Sequence, residues 1–165
     1  LVSYFRKHPF KKGEGYVDFG CGMGRTVFLA AHYGCTQTIG VDVNADMYNI
    51  AIKNRSTFVD KRKLNEEISF THCPADSFRI ENSHCYFYFF NPFYLKHFIK
   101  TTNNIFRSYQ VYPRKIRLIL YDAAEEYIRY LSRQTSFCLL ETISFKDGAY
   151  FQIYTINEAD KKLLG

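Results

Sequence analysis

Three glycines at alternate positions, in Asp18-Phe19-Gly20-Cys21-Gly22-Met23-Gly24, join a β-rich run at 16–20 to a helical run at 25–33. No other feature restricts the fold as much. Glycine reaches backbone angles closed to other residues and lets a ligand approach the main chain, and a third glycine permits close helix–strand contact. The helix that starts just beyond offers unpaired N–H groups. A strand running into such a turn and then a helix is the opening of a βαβ unit.

The rest of the chain keeps the alternation. Strands are expected at 38–42, 68–72, 86–90 and 116–121, with helices at 45–61, 95–106 and 124–131. The strands lack a polar face, as strands buried on both sides do. The pattern implies an α/β fold with a mostly parallel sheet and helices on both faces, its ligands at the carboxyl edge. The end departs from this rule. Two β-rich runs, 137–145 and 150–156, flank Lys146-Asp147-Gly148-Ala149, and Asp-Gly between strands signals an antiparallel hairpin.

A length of 165 residues fits one domain over 1–165, with 1–14 as an N-terminal arm or helix. The 14 Tyr and 16 Phe, with no Trp, read as large residues filling a small sheet-based core; a stacking surface for a flat substrate is the sharper alternative. The net charge of +6 favours anionic partners, nucleic acid included, but the charge is spread along the chain. Its densest stretch, Arg6, Lys7, His8, Lys11 and Lys12, reads as a solvated N-terminal segment, with a phosphate-binding arm as the alternative. Five cysteines without a CxxC pair indicate reduced thiols and a cytoplasmic protein. No apolar run is long enough to cross a bilayer, so no membrane partner is expected. The pairs His72-Cys73 and His84-Cys85 lack metal-ligand spacing, and no metal is expected.

Asp42 ends the second strand 22 positions after Gly20. That offset suits a carboxylate accepting both hydroxyls of a ribose. The spacing Gly-x-Gly-x-Gly is not the Gly-x-Gly-x-x-Gly of dinucleotide enzymes. With Gly40-Val41-Asp42 after it, the motif resembles the class I S-adenosylmethionine-dependent methyltransferases, in particular small bacterial members carrying Asn-Pro-Phe after the fourth strand. The resemblance implies a Rossmann-like sheet whose last strand is antiparallel, and S-adenosyl-L-methionine as cofactor. Asp18 would then serve the methionine end and Asp42 the ribose. Gly20, Cys21, Gly22, Gly24 and Val43 would complete the cofactor contacts, and Asp76, after the third strand, would receive the adenine amino group.

The fourth strand runs into Asn91-Pro92-Phe93-Tyr94, which resembles the Asn-Pro-Pro-Tyr of methyltransferases acting on planar amino groups; Phe93 stands where that motif has proline. An amide nitrogen is a poor nucleophile because its lone pair is delocalised. The Asn91 carboxamide and Pro92 carbonyl would each accept an N–H and favour attack out of the plane, with Tyr94 stacked on the acceptor. Asn91 would lie at the methyl end of the cofactor. The plainer alternative is that Asn91-Pro92 only ends a strand.

The sequence is therefore read as an S-adenosylmethionine-dependent methyltransferase whose acceptor is a planar amino group or a small molecule. Nucleic acid is a weaker candidate, and oligomeric state has no signal in the sequence. The rivals are a non-catalytic adenosyl-binding module and a nicotinamide-dependent oxidoreductase, the latter disfavoured by glycine spacing and by the terminal hairpin.

Overall fold

The computed structural model describes residues 1–62 and 67–156, in two compact units, Leu1–Phe78 and a second beginning at Arg79. In the first, α1 (Val2–Lys7) precedes β1 (Gly15–Phe19), α2 (Arg25–His32), β2 (Gln37–Asp42), α3 (Ala45–Arg62) and β3 (Glu67–His72). The strands run in the order β3-β2-β1, all parallel, with Asp18 beside Gly40 and Asp42 beside His72. Every residue of β1 is buried, as expected of a strand covered on both faces. Beneath the glycine turn, Cys21, Val27, Ala31 and Ile68 form a core with Phe28, Phe58 and Phe70.

Residues 1–14 correct one expectation. The cations Arg6, Lys7, Lys11 and Lys12 are exposed, but the segment is docked rather than solvated. Tyr4 and Phe5 of α1 are 3% and 1% exposed. Phe5 packs against the rings of Phe10, Tyr16 and Tyr33. Burying two aromatic side chains outweighs the solvation of the neighbouring charges, which stay in water at the ends of long stems.

The second unit holds β4 (His84–Phe89), α4 (Leu95–Val111), β5 (Arg117–Tyr121), α5 (Glu125–Gln134), β6 (Phe137–Ser144) and β7 (Tyr150–Ile156). Strand β4 is parallel to β5, while β7 is antiparallel to both β5 and β6, giving β4-β5-β7-β6. The β6–β7 pair is the expected hairpin. Gly148 turns it at φ 88°, with Gly148 N–H on the Phe145 carbonyl and Phe145 N–H on that of Ala149. Aromatic rings fill the interior, Phe98 lying face to face with Tyr127 at 3.8 Å. Helix α4 outruns its expected end by a turn because Arg114 caps it, donating from Nη1 to the carbonyls of Ser108 and Tyr112. Among the described residues no helix is long and apolar enough to cross a membrane.

Candidate functional site

The glycine turn between β1 and α2 is fixed by its neighbours. Gly20 and Cys21 both donate their N–H to the carbonyl of Val41, at 2.8 and 3.2 Å, so the turn hangs from the end of β2. Gly20, Gly22 and Gly24 hold φ of 75°, 53° and 87°, in the left-handed region that glycine occupies without strain. At Gly24 a methyl group would lie 2.6 Å from the Phe70 ring. At Gly22 a methyl group would meet no atom of the described residues within 4 Å, so that side of the main chain faces open space. The Cys21 side chain turns away into the core, and its backbone carbonyl accepts the Gly24 N–H. Burial and the charges of Asp18 and Asp42 push its thiol upward, keeping it protonated.

Asp42 is oriented by main-chain donors on both oxygens. Gly22 N–H reaches Oδ2 and Asn44 N–H reaches Oδ1, each at 2.8 Å. A carboxylate oxygen has a second acceptor site, so one remains on each for further donors. Asn44 in turn caps α3, its Oδ1 accepting from the N–H groups of Asp46 and Met47. Val43 is exposed, as is Met23 on the turn, whose carbonyl is held by Asn54 Nδ2. His72 contacts the Val43 carbonyl through Nε2 and stacks on Tyr48.

Asp18 is a different carboxyl. It is 3% exposed, and its hydrogen-bond partner among the described residues is the hydroxyl of Thr26, in the first turn of α2. Burial pushes it up to about 7, against the pull of Thr26 and helped by the charge of Asp42. A buried carboxyl without a cation is raised in this way, and a nearby positive charge would reverse the effect. Asp76 lies half-buried in a single 3-10 turn, Ala75–Ser77, after β3.

In the second unit, Asn91 follows β4 at φ 42°. Its Nδ2 donates to the Asp122 carbonyl at 2.7 Å and its Oδ1 accepts the Ala124 N–H at 2.8 Å, which ties this turn to the start of α5. The Phe93 carbonyl accepts from the Tyr127 hydroxyl, and the Phe93 ring lies perpendicular to that of Phe89. A cavity of about 420 Å³ opens here, lined by Asn91, Pro92, Tyr94, Glu126 and Tyr127 among others. Tyr94 is 81% exposed and has room to stack on a planar molecule. Among the described residues no three His, Cys, Asp or Glu side chains gather as metal ligands do.

Several participants carried no usable signal in the sequence. Thr26 reaches Asp18 through a turn whose geometry spacing alone does not give. Asp122 and Tyr127 meet the Asn91 turn only through tertiary packing. Asn44 was readable, since an Asn just before a helix is a preferred cap.

No protein-family model matches the chain, and no curated protein matches it in sequence. Solved structures do match. An RNA methyltransferase from Salinibacter ruber in complex with S-adenosyl-L-homocysteine has a TM-score of 0.71 at 16% identity, over 95% of this chain and 90% of that one. The glycopeptide N-methyltransferase MtfA, complexed with S-adenosyl-L-methionine, gives 0.72 at 8% identity, over 94% and 86%. The N-methyltransferase NodS from Bradyrhizobium japonicum WM9 gives 0.63 at 14% identity, over 87% and 85%. The fold is thus the Rossmann-like one of S-adenosylmethionine-dependent methyltransferases, mostly parallel with an antiparallel C-terminal hairpin.

Proposed function

We propose that the chain binds S-adenosyl-L-methionine at the β1–α2 turn and transfers its methyl group to a small molecule or a planar amino group. The observation that carries this reading is the pairing of two unlike carboxyls around one glycine turn. Asp42 is set on the Gly22 N–H with acceptor sites to spare, and Asp18 is buried with no cation beside it among the described residues. The first suits the two hydroxyls of a ribose and the second an ammonium, two of the polar features an adenosyl amino acid presents. The open space over Gly22 leaves the main chain accessible. The crystallised complexes of two fold neighbours, with S-adenosyl-L-homocysteine and S-adenosyl-L-methionine, support the same choice.

When bound, this cofactor supplies an electrophilic methyl carbon on a sulfonium. The residues of the chain then have holding roles. Asp18 takes the ammonium, Asp42 the ribose, Val43 an edge of the adenine and Asp76 its amino group, over the backbone of Gly20, Cys21, Gly22 and Gly24. For the acceptor we assign Asn91, Pro92 and Tyr94. Asn91 Oδ1 keeps a second acceptor site beyond the Ala124 N–H, and with the Pro92 carbonyl it would orient an amino group while Tyr94 stacks on its plane. Two of the neighbours are N-methyltransferases by name, which agrees with a nitrogen acceptor. The cavity at Asn91 has the size of a small-molecule site.

Calorimetric titration tests the cofactor. S-adenosylhomocysteine is expected to bind with one-to-one stoichiometry and nicotinamide dinucleotides far more weakly. Binding of a dinucleotide alone would overturn the reading. Binding of S-adenosylhomocysteine with no transfer to any amine, amide or phenol in an acceptor screen would leave a non-catalytic adenosyl-binding module.

A further inference from the structure

A second cavity, of about 570 Å³, opens at the start of β5, the opposite end of that strand from Asp122. Arg114, Lys115 and Arg117 line it, together with Tyr109 and the apolar side chains of Leu140 and Ile156. It shares no residue with the glycine turn or with the Asn91 cavity.

The two arginines are held by neutral groups. Arg114 donates from Nε to the His84 carbonyl at 2.9 Å and from Nη2 to the Ser108 hydroxyl at 2.9 Å, besides capping α4. Arg117 Nη1 donates to the Thr155 hydroxyl at 2.6 Å and to the Ile116 carbonyl at 2.9 Å. Lys115 Nζ donates to the Tyr86 hydroxyl and sits 4.6 Å from the centre of its ring. Among the described residues neither arginine has a carboxylate partner. These contacts fix the positive groups in place and leave the charge of the two arginines uncompensated.

Tyr109 supplies an independent observation. It is 3% exposed, and its hydroxyl is buried with no hydrogen-bond partner among the described residues. Buried polar groups are nearly always satisfied, and an exception on a residue that lines a cavity calls for a group that completes it once the cavity is filled. A phosphate oxygen would accept from a hydroxyl and from fixed arginine N–H groups together. Leu140 and Ile156 offer an apolar wall for the body that carries the phosphate.

We infer that this cavity binds the phosphate group of a small phosphorylated molecule. The cations are gathered in one cavity that also has an apolar wall, which suits a compact ligand better than a polymer lying along a surface.

Phenyl phosphate and inorganic phosphate are the probes, titrated into the full chain and followed by calorimetry and thermal unfolding. Phenyl phosphate should bind saturably and more tightly than inorganic phosphate, with sodium chloride at equal ionic strength giving no such effect. Arg117→Met should weaken phenyl phosphate by tenfold or more. Arg117→Lys keeps the charge but loses the fork, and should fall between, which covers a Met variant that folds poorly. Tyr109→Phe is the sharper test. Removing an unsatisfied hydroxyl should leave thermal stability unchanged or raised, while weakening phenyl phosphate by about tenfold. S-adenosylhomocysteine affinity should be unchanged in every variant. Wild-type affinity in both Tyr109→Phe and Arg117→Met, or a chloride effect equal to that of phosphate, would overturn the assignment. So would a short single-stranded RNA that binds through Arg117 where phenyl phosphate does not.

Discussion

Asn91 donates its Nδ2 to the main-chain carbonyl of Asp122 at 2.7 Å, and the two residues, at φ 42° and 45°, are the non-glycine positions with positive φ among the described residues. Asparagine tolerates that region because its short amide bonds locally, and here the bond joins one unusual turn to another. The same amide accepts the N–H of Ala124, the N-cap residue of α5. The side chain proposed to orient the acceptor is thus also a brace between the β4–α4 and β5–α5 turns.

Replacing Asn91 by alanine should therefore have two separable effects. Each lost hydrogen bond is worth about 0.5–1.5 kcal/mol, less where water can replace it, and the left-handed backbone adds about 1 kcal/mol for a residue with a Cβ. Urea denaturation should show a loss of about 1–3 kcal/mol. S-adenosylhomocysteine affinity should stay near wild type, since Asn91 is assigned to the acceptor, while methyl transfer falls. A fully stable Asn91→Ala protein would deny the brace; one that keeps full turnover would deny the acceptor role.

Much of this architecture was legible because its elements are strongly patterned. Strand β4 is six residues buried without exception, and after His84 its run of Cys, Tyr and Phe is how such a strand reads. The hairpin was legible because Asp147-Gly148 meets a backbone requirement that few pairs meet. Other features depend on partners distant in sequence. Arg114 extends α4 from outside the helix, and nothing within 107–111 announces it. Tyr4 and Phe5 lie among lysines and arginines, so composition reads their segment as solvated while packing buries it. At the candidate site, Asp42 and the glycines could be named from spacing and Asp18 from the family resemblance, whereas Thr26 and the bonds of Asn91 follow from the path of the turns.

The Gly40 position makes a steric prediction. A methyl group there would lie 2.5 Å from the Phe70 ring and 2.7 Å from Cys21 Sγ, at a residue whose φ is ordinary for any side chain. Overpacking of this kind costs about 1–3 kcal/mol. Gly40→Ala should lower the denaturation midpoint, and Phe70→Leu in the same chain should recover part of the loss. A double-mutant cycle with no coupling between the two positions would show that the ring is not what confines Gly40.

Asp42→Ala should weaken S-adenosylhomocysteine by about 1.5–3 kcal/mol, the worth of hydrogen bonds to a charged group. It also strips the Gly22 N–H of its acceptor, so amide exchange at Gly22 should accelerate. Asp42→Asn keeps an acceptor for one of the two main-chain donors and should lie between. Unchanged affinity in a folded Asp42→Ala protein would place the ribose elsewhere.

The Asp18 carboxyl makes a prediction in pH. Its folded value, about 7, lies above the ordinary 3.8, so between roughly pH 4 and 7 the folded chain holds a proton that the unfolded chain has lost. Stability supplied by that proton is complete at low pH and declines by about 1.4 kcal/mol per pH unit through this window, then levels off. Asp18→Asn removes this contribution. Relative to wild type it should be more stable at pH 8 and little changed near pH 4, in urea denaturation at the two values. Cofactor binding should run the other way, because an ammonium beside Asp18 favours the ionised carboxylate. S-adenosylhomocysteine affinity of the wild type should rise from pH 5.5 to 7.5, with proton release at pH 6 detectable as a buffer-dependent binding enthalpy. In Asp18→Asn, affinity should be low throughout and binding should release no proton. Wild-type affinity that is flat across this range would mean that the ammonium is held by some other group, and the pairing of two unlike carboxyls would no longer argue for this cofactor.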